Sequence, residues 1–134
     1  MTRFNISLSE GIELVDWCFK NNLGGEIFIP KLKSFNILDL AKSISSSTGY
    51  KIIGIRPGEK LHEELISLTD GMNTVEGKNV YVVLNGLSEP EFKKYLKIKK
   101  MKRVKKGFKY SSDNNKEFLN SQSLKKILKK NKFI

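Results

Sequence analysis

The sequence has one cysteine, one histidine, one alanine and three arginines among 134 residues, and each scarcity excludes something. Cys18 alone cannot form an intrachain disulfide, and with only His62 beside it no cysteine/histidine zinc cage is available. No apolar run approaches the length of a membrane span, and no basic-then-apolar leader opens the chain. A chain without anchor, leader or disulfide framework is expected in the cytoplasm, with no membrane partner. What is present suits a folded protein: 39% hydrophobic and 10% aromatic residues, enough at this length for a core that needs no staples.

The net charge of +11 is unevenly placed. Residues 1–67 hold eight basic and eight acidic residues, while residues 68–134 hold 17 basic and 6 acidic ones and so carry the whole excess. From Lys93 to Lys109 there are ten basic residues and no acid. Such a block could meet a polyanion. The plainer reading is a lysine-biased composition, because no nucleic-acid recognition motif accompanies the charge. Nucleic acid is therefore not expected as a partner, and a basic binding module is kept as the alternative.

The periodicity predicts an α/β chain. Ser7 and Glu10 form a capping box ahead of Leu8, Ile12, Val15 and Phe19 at helical spacing, with Trp17 and Cys18 widening the stripe. Asn21 to Gly25 ends this helix. Glu26–Pro30 reads as a strand, and a second helix starts near Asn36, with Ile37, Leu40, Ala41 and Ile44 inward, and stops by Gly49. Lys51–Ile55 is expected as a strand that runs into a third helix opening at Arg56-Pro57-Gly58-Glu59. After a polar loop from Thr69 to Lys78, Asn79–Leu84 is a strand and Ser88 caps a basic helix to about Leu96. A strand within Val104–Tyr110 and a helix over Ser121–Lys130 complete the pattern. No element is expected at Met1–Phe4. The two apolar strands read as parallel-type, which need neighbours and covering helices.

Arg56 and Glu59 are the strongest candidate site. A strand would deliver the guanidinium to the open amides of a helix N-terminus, a combination that favours a phosphate. Glu59 could accept hydrogen bonds from a ribose diol. Thr2 and Arg3 stand just before the first helix, where Arg3 alone would be a surface charge. His62 is expected on a solvated helix face. Tyr95-x-x-x-Lys99 has the spacing of a short-chain dehydrogenase pair, yet it sits in a lysine run with no nucleotide-binding unit before it and reads as coincidence. No glycine-rich dinucleotide loop, P-loop, nucleophile elbow or metal-ligand cluster is present.

These segments, in order, resemble a known family: Met1-Thr2-Arg3-Phe4, Gly24–Lys31, Ile37–Ala41, Ile53–Glu63 and Tyr110–Asn115 with Phe118-Leu119. The chain is similar to the C-terminal part of the inverting UDP-N-acetylglucosamine 4,6-dehydratases, extended short-chain dehydrogenases of polysaccharide and flagellin-sugar pathways. Capsular polysaccharide proteins of CapD type and nucleotide-sugar epimerases share the layout. The resemblance implies one C-terminal sugar-nucleotide-binding portion over 1–134, with an α/β part at 1–67 and a basic part at 68–134, in an incomplete Rossmann-type fold. It implies that Arg56 holds the diphosphate or uridine end of UDP-N-acetylglucosamine and Glu59 the ribose, with Thr2 and Arg3 lining the site from the other side. The family uses NADP and forms homo-oligomers, but its cofactor loop and acid/base residues lie upstream of the matched region. The expectation is therefore no cofactor and no catalytic residue in this chain. It would be inactive alone, either as half of a split enzyme working with a separate Rossmann-domain chain or as a gene remnant.

Overall fold

A computed structural model describes residues 1–45, 47 and 49–134. The chain divides into two interleaved units: Met1–Asn5, Leu32–Glu63 and Ser111–Ile134 form one, and Ile6–Lys31 with Glu64–Tyr110 form the other.

In the first unit, β1 (Thr2–Asn5) pairs antiparallel with β3 (Lys33–Asn36), and β3 pairs in parallel with β9 (Phe118–Leu119). Met1–Phe4 is thus a strand, where the sequence offered no element. Its register, Thr2 opposite Asn36 and Asn5 opposite Lys33, depends on a partner some thirty residues away, which local periodicity does not carry. The helix α2 (Ile37–Ile44) starts where expected because the Asn36 side chain accepts from the Leu38 amide at 2.9 Å. Of the residues read as inward, Leu40 and Ala41 are half-buried and Ile44 is exposed, while Ser43 is the buried one. Within the expected end between Ile44 and Gly49, Ser46 and Thr48 lie outside the described residues. α2 packs on α5 (Ser121–Lys130), which has the expected bounds and is capped by Asn120.

The second unit carries helix α1 (Leu8–Asn21), with its Ser7/Glu10 capping box formed, and the strand β2 (Glu26–Pro30), both as read from the sequence. It also holds β4 (Glu64–Ile66), α3 (Leu68–Gly71), β5 (Thr74–Glu76), β6 (Val80–Leu84), α4 (Glu89–Lys99) and β7 (Lys102–Arg103). β8 (Tyr110–Ser111) spans the crossing back to the first unit.

Its sheet runs β2-β6-β5-β7 and is antiparallel throughout, not the parallel sheet expected. The apolar run of β6 that suggested a parallel strand has another cause. β6 is an inner strand, so Val80, Val82, Val83 and Leu84 are buried on both faces. Two elements lie in the stretch read as a polar loop, α3 and β5. Ser67 and Asp70 cap the first reciprocally, and Val75 of the second is fully buried. The strand expected within Val104–Tyr110 is replaced by the two-residue β7 and by Tyr110.

α4 extends to Lys99, three residues beyond the expectation, and explains the basic stretch. Phe92 and Tyr95 turn inward onto Val75, Val80, Val82 and Leu84, with Leu96 and Met101 against them, while Lys93, Lys94 and Lys97 face outward. Arg103 closes over the Phe92 ring at 4.0 Å and pairs with Glu89 at 3.0 Å. The Tyr95 hydroxyl is sealed from water and has no hydrogen bond of normal geometry among the described residues, and burial together with the nearby Glu26 carboxylate pushes the phenol above its ordinary range. Tyr95→Phe is therefore expected to leave stability unchanged or raise it by about 1 kcal/mol, since an orphaned buried hydroxyl carries only its desolvation cost. Urea denaturation checks this, and a loss of about 1 kcal/mol would mean that the phenol bonds to Glu26. Among the described residues no helix is long and apolar enough to cross a membrane.

Candidate functional site

The stretch from Lys51 to Glu63 is neither strand nor helix, contrary to the strand–turn–helix expected there. The backbone shows why. Glu59 N–H donates to Arg56 O at 3.0 Å, and Gly58 sits at φ +79°. That is a type II turn with Pro57 and Gly58 at its two central positions, a geometry that leads away from a helix. The carbonyls a helix would need are then used elsewhere. Leu61 O accepts the Thr2 amide at 3.0 Å, and Glu63 O accepts the Ser112 amide at 2.8 Å. No helix N-terminus therefore stands behind Arg56, and the helix amides expected as an anion cradle are not there. What remains is the turn and its charges.

The four expected residues are linked in one chain of contacts, from Arg56 to Glu59 to Arg3 to Thr2. Glu59 Oε2 accepts the Arg56 backbone N–H at 3.2 Å, and Glu59 Oε1 lies 3.9 Å from Arg3 Nη2. Arg3 donates from Nη1 to Thr2 O at 2.8 Å and to Leu61 O at 3.3 Å, and from Nη2 to Lys60 O at 3.0 Å. Its Nε lies 3.5 Å from Glu63 Oε1, while Glu63 Oε2 accepts the Phe4 amide at 2.7 Å. The Arg56 side chain is exposed and has no partner among the described residues. Thr2 is buried, 7% exposed, and faces away from that guanidinium into a polar chain of its own. Thr2 Oγ1 shares hydrogen bonds with His62 Nδ1 at 2.8 Å and Ser112 Oγ at 2.7 Å. His62 is accordingly half-buried in a loop, not on a solvated helix face.

Ser112 and Asn115 belong to the family-like segment Tyr110–Asn115, and in the structure both make specific hydrogen bonds. Ser112, with no exposed surface, accepts the Glu63 amide at 2.9 Å and donates to Thr2 O at 3.1 Å. Asn115 donates to Leu32 O at 2.6 Å and Ser34 Oγ at 3.0 Å. Clustered Ser, Asp and Asn was the available signal, since these side chains bond to backbone groups in turns.

The Gly24-Gly25 pair does not offer a dinucleotide cradle. The adjacent pair Gly24-Gly25 follows a helix, and the amides of Leu23 and Gly24 already donate to the Glu26 carboxylate at 2.7–3.1 Å. A pyrophosphate would have to displace that anion. Tyr95 and Lys99 do not act together either: Tyr95 is in the core and Lys99 Nζ donates to Asn21 O.

Residues 1–85 match the family described as polysaccharide biosynthesis protein. The chain belongs to that family. Over 96% of its length it is 42% identical to a UDP-N-acetylglucosamine 4,6-dehydratase (inverting) of Campylobacter jejuni, and it is 33% identical to a UDP-glucose 4-epimerase of Rickettsia akari. The whole chain superposes on part of Pen from Bacillus thuringiensis with a TM-score of 0.78 at 23% identity, covering 39% of that structure. The α/β class expected from the sequence is thereby established, and the fold is that of the matched part of Pen. The chain spans about 40% of the length of the curated relatives it matches.

Proposed function

We propose that this chain is the UDP-sugar-binding portion of a UDP-N-acetylglucosamine 4,6-dehydratase of the inverting type. In this reading it works together with a polypeptide that supplies the NADP site and the acid/base residues. The carrying observation is the Arg56–Glu59 turn, which presents a guanidinium without a partner among the described residues beside a carboxylate. Arg56 would fork onto diphosphate oxygens and Glu59 would accept from the ribose hydroxyls. The identity of 42% to a dehydratase, against 33% to an epimerase, favours the former as the reaction class.

The need for a partner rests on α1. Leu8, Ile12, Val15 and Phe19 are 82%, 62%, 55% and 78% exposed, and with Ile6 they line a groove of about 670 Å³. A stripe of this kind on one helix face is what a covered helix has. The lone chain is therefore expected to bind an apolar dye such as ANS, and Ile12→Glu with Phe19→Glu to reduce that signal at least threefold. A wild-type chain that stays monomeric and dark would count against the partner.

Tagging the chain in its native cell and purifying it at physiological salt tests the proposal. Co-purification of a chain with a glycine-rich cofactor loop, and dehydration of UDP-N-acetylglucosamine by the pair, is the expected result. A chain that purifies alone and takes up no UDP sinks it. The basic-module alternative predicts retained nucleic acid that salt strips steeply. The inward packing of Phe92 and Tyr95 already accounts for the lysine spacing on α4 without it.

A further inference from the structure

We infer that His62 is a positioning residue: it carries its proton on Nδ1 and, through Thr2 and Ser112, fixes the end of the loop that presents Arg56. The protons of a closed set of contacts lead there. Ser112 has no exposed surface, so its hydroxyl finds every partner inside the chain. A hydroxyl has one proton to give and two lone pairs to accept with. The Glu63 N–H donates to Ser112 Oγ at 2.9 Å, and Ser112 Oγ donates its only proton to Thr2 O at 3.1 Å. The 2.7 Å contact between the two hydroxyl oxygens must then use the Thr2 proton, which fills the second lone pair of Ser112. Thr2 Oγ1 has nothing left to donate. At 2.8 Å from His62 Nδ1 it can only accept, so the ring nitrogen supplies the hydrogen.

The opposite tautomer leaves four contacts with three protons. With the hydrogen on Nε2, Thr2 would have to serve Nδ1, and Ser112 would have to choose between Thr2 Oγ1 and Thr2 O. Two oxygens would then face each other inside the chain with no hydrogen between them, which forfeits a buried bond. With Nδ1–H the chain runs one way, from His62 to Thr2 to Ser112 to the Thr2 carbonyl, and every member is satisfied. Its effect on the loop is direct. Ser112 bonds both backbone groups of Glu63, the residue after His62: the amide through Oγ, and the carbonyl through its own N–H at 2.8 Å. The ring thus orients the hydroxyl that holds the loop it belongs to, just past the Arg56–Glu59 turn. Toward a ligand this rests on the UDP-sugar reading proposed above. A loop end fixed in advance leaves less to be ordered when Arg56 meets a diphosphate.

The chain has a single histidine, so its ring gives one unambiguous set of signals. Long-range proton–nitrogen correlation spectra of the full chain, at about pH 8.5 where an ordinary imidazole is neutral, are expected to show a protonated Nδ1 and a bare Nε2. The reverse pattern, or an average of the two, would overturn the inference. Two variants of equal shape read the direction of the bond without the ring. His62→Asn puts an N–H donor where Nδ1 stands, and His62→Asp puts an acceptor there. His62→Asn is expected to keep the Glu63 and Ser112 amides as protected from hydrogen exchange as in wild type. In His62→Asp they are expected to exchange about tenfold faster while Val80–Leu84 stay protected, and UDP affinity is expected to fall about tenfold with them. A His62→Asp chain that matches wild type while His62→Asn loosens would make Nδ1 the acceptor and overturn the inference. Faster exchange at Glu63 with UDP affinity unchanged would remove the positioning role. If the wild-type chain takes up no UDP, the functional reading fails by itself, and the ring spectrum and exchange comparison still decide where the proton sits and what it holds.

Discussion

Arg56→Ala is expected to weaken UDP binding by roughly ten- to a hundredfold while leaving the fold intact. Both halves of that expectation come from the position of the side chain. Its guanidinium is exposed and makes no hydrogen bond among the described residues, so its removal strands no buried partner. The turn survives because its bonds use the Arg56 backbone: the carbonyl accepts from Glu59 N–H and the amide donates to the Glu59 carboxylate. A hydrogen bond between charged groups contributes about 1.5–3 kcal/mol, which corresponds to the range given. Calorimetric titration with UDP, on the chain or on its complex with a partner, reads the change. Lys97→Ala, on the outer face of α4, removes the same charge elsewhere and is the control. Equal affinity of Arg56→Ala and wild type would remove Arg56 from the site.

Gly71→Ala should cost about 3 kcal/mol or more in stability, the largest effect expected of any methyl-sized change here. A Cβ at position 71 would lie 2.1 Å from the carbonyl oxygen of Phe108 and 3.2 Å from its carbon. Those are backbone atoms, which cannot swing aside as the end of a side chain would. Phe108 is itself held, its ring 5.0 Å from that of Tyr81, which also meets Tyr110 at 5.1 Å. Relief would need α3 or the 107–110 segment to shift and open the sheet edge beneath it. Equilibrium urea unfolding gives the number. A loss under about 0.5 kcal/mol would mean that α3 does not sit against Phe108.

The elements that were legible share one property: their signals are local. Ser7 with Glu10 marks α1, Asn36 marks α2, Ser88 marks α4, and α5 matches the reading to the residue. In each a side chain within three residues satisfies an amide that the helix leaves open. β2 and β6 were legible through dense β-branched and aromatic residues. The misreadings have a common cause too. Lys51–Ile55 has strand composition but pairs with no strand among the described residues, and a strand without neighbours gains little. Thr2–Asn5 has no strand signature yet pairs with β3. For β1 and β9 the partner decides, and the partner is distant in sequence.

The site divides in the same way. Arg56, Glu59, Thr2 and Arg3 could be picked out as residues, and Pro57-Gly58 could be read as a turn, because residue chemistry and turn preference travel with the sequence. The family could be read as well, since its motifs are contiguous. Which arginine faces out could not. That depends on Lys60 O and Leu61 O converging on the Arg3 guanidinium and on Ser112 fastening Glu63, contacts between residues about 50 to 60 positions apart. Local chemistry determined the helices, the turn and the identity of the charged groups. Only the tertiary structure decided the antiparallel order of the sheet and the inward-facing bonds of Arg3, because each is set by which backbone groups are left to be satisfied.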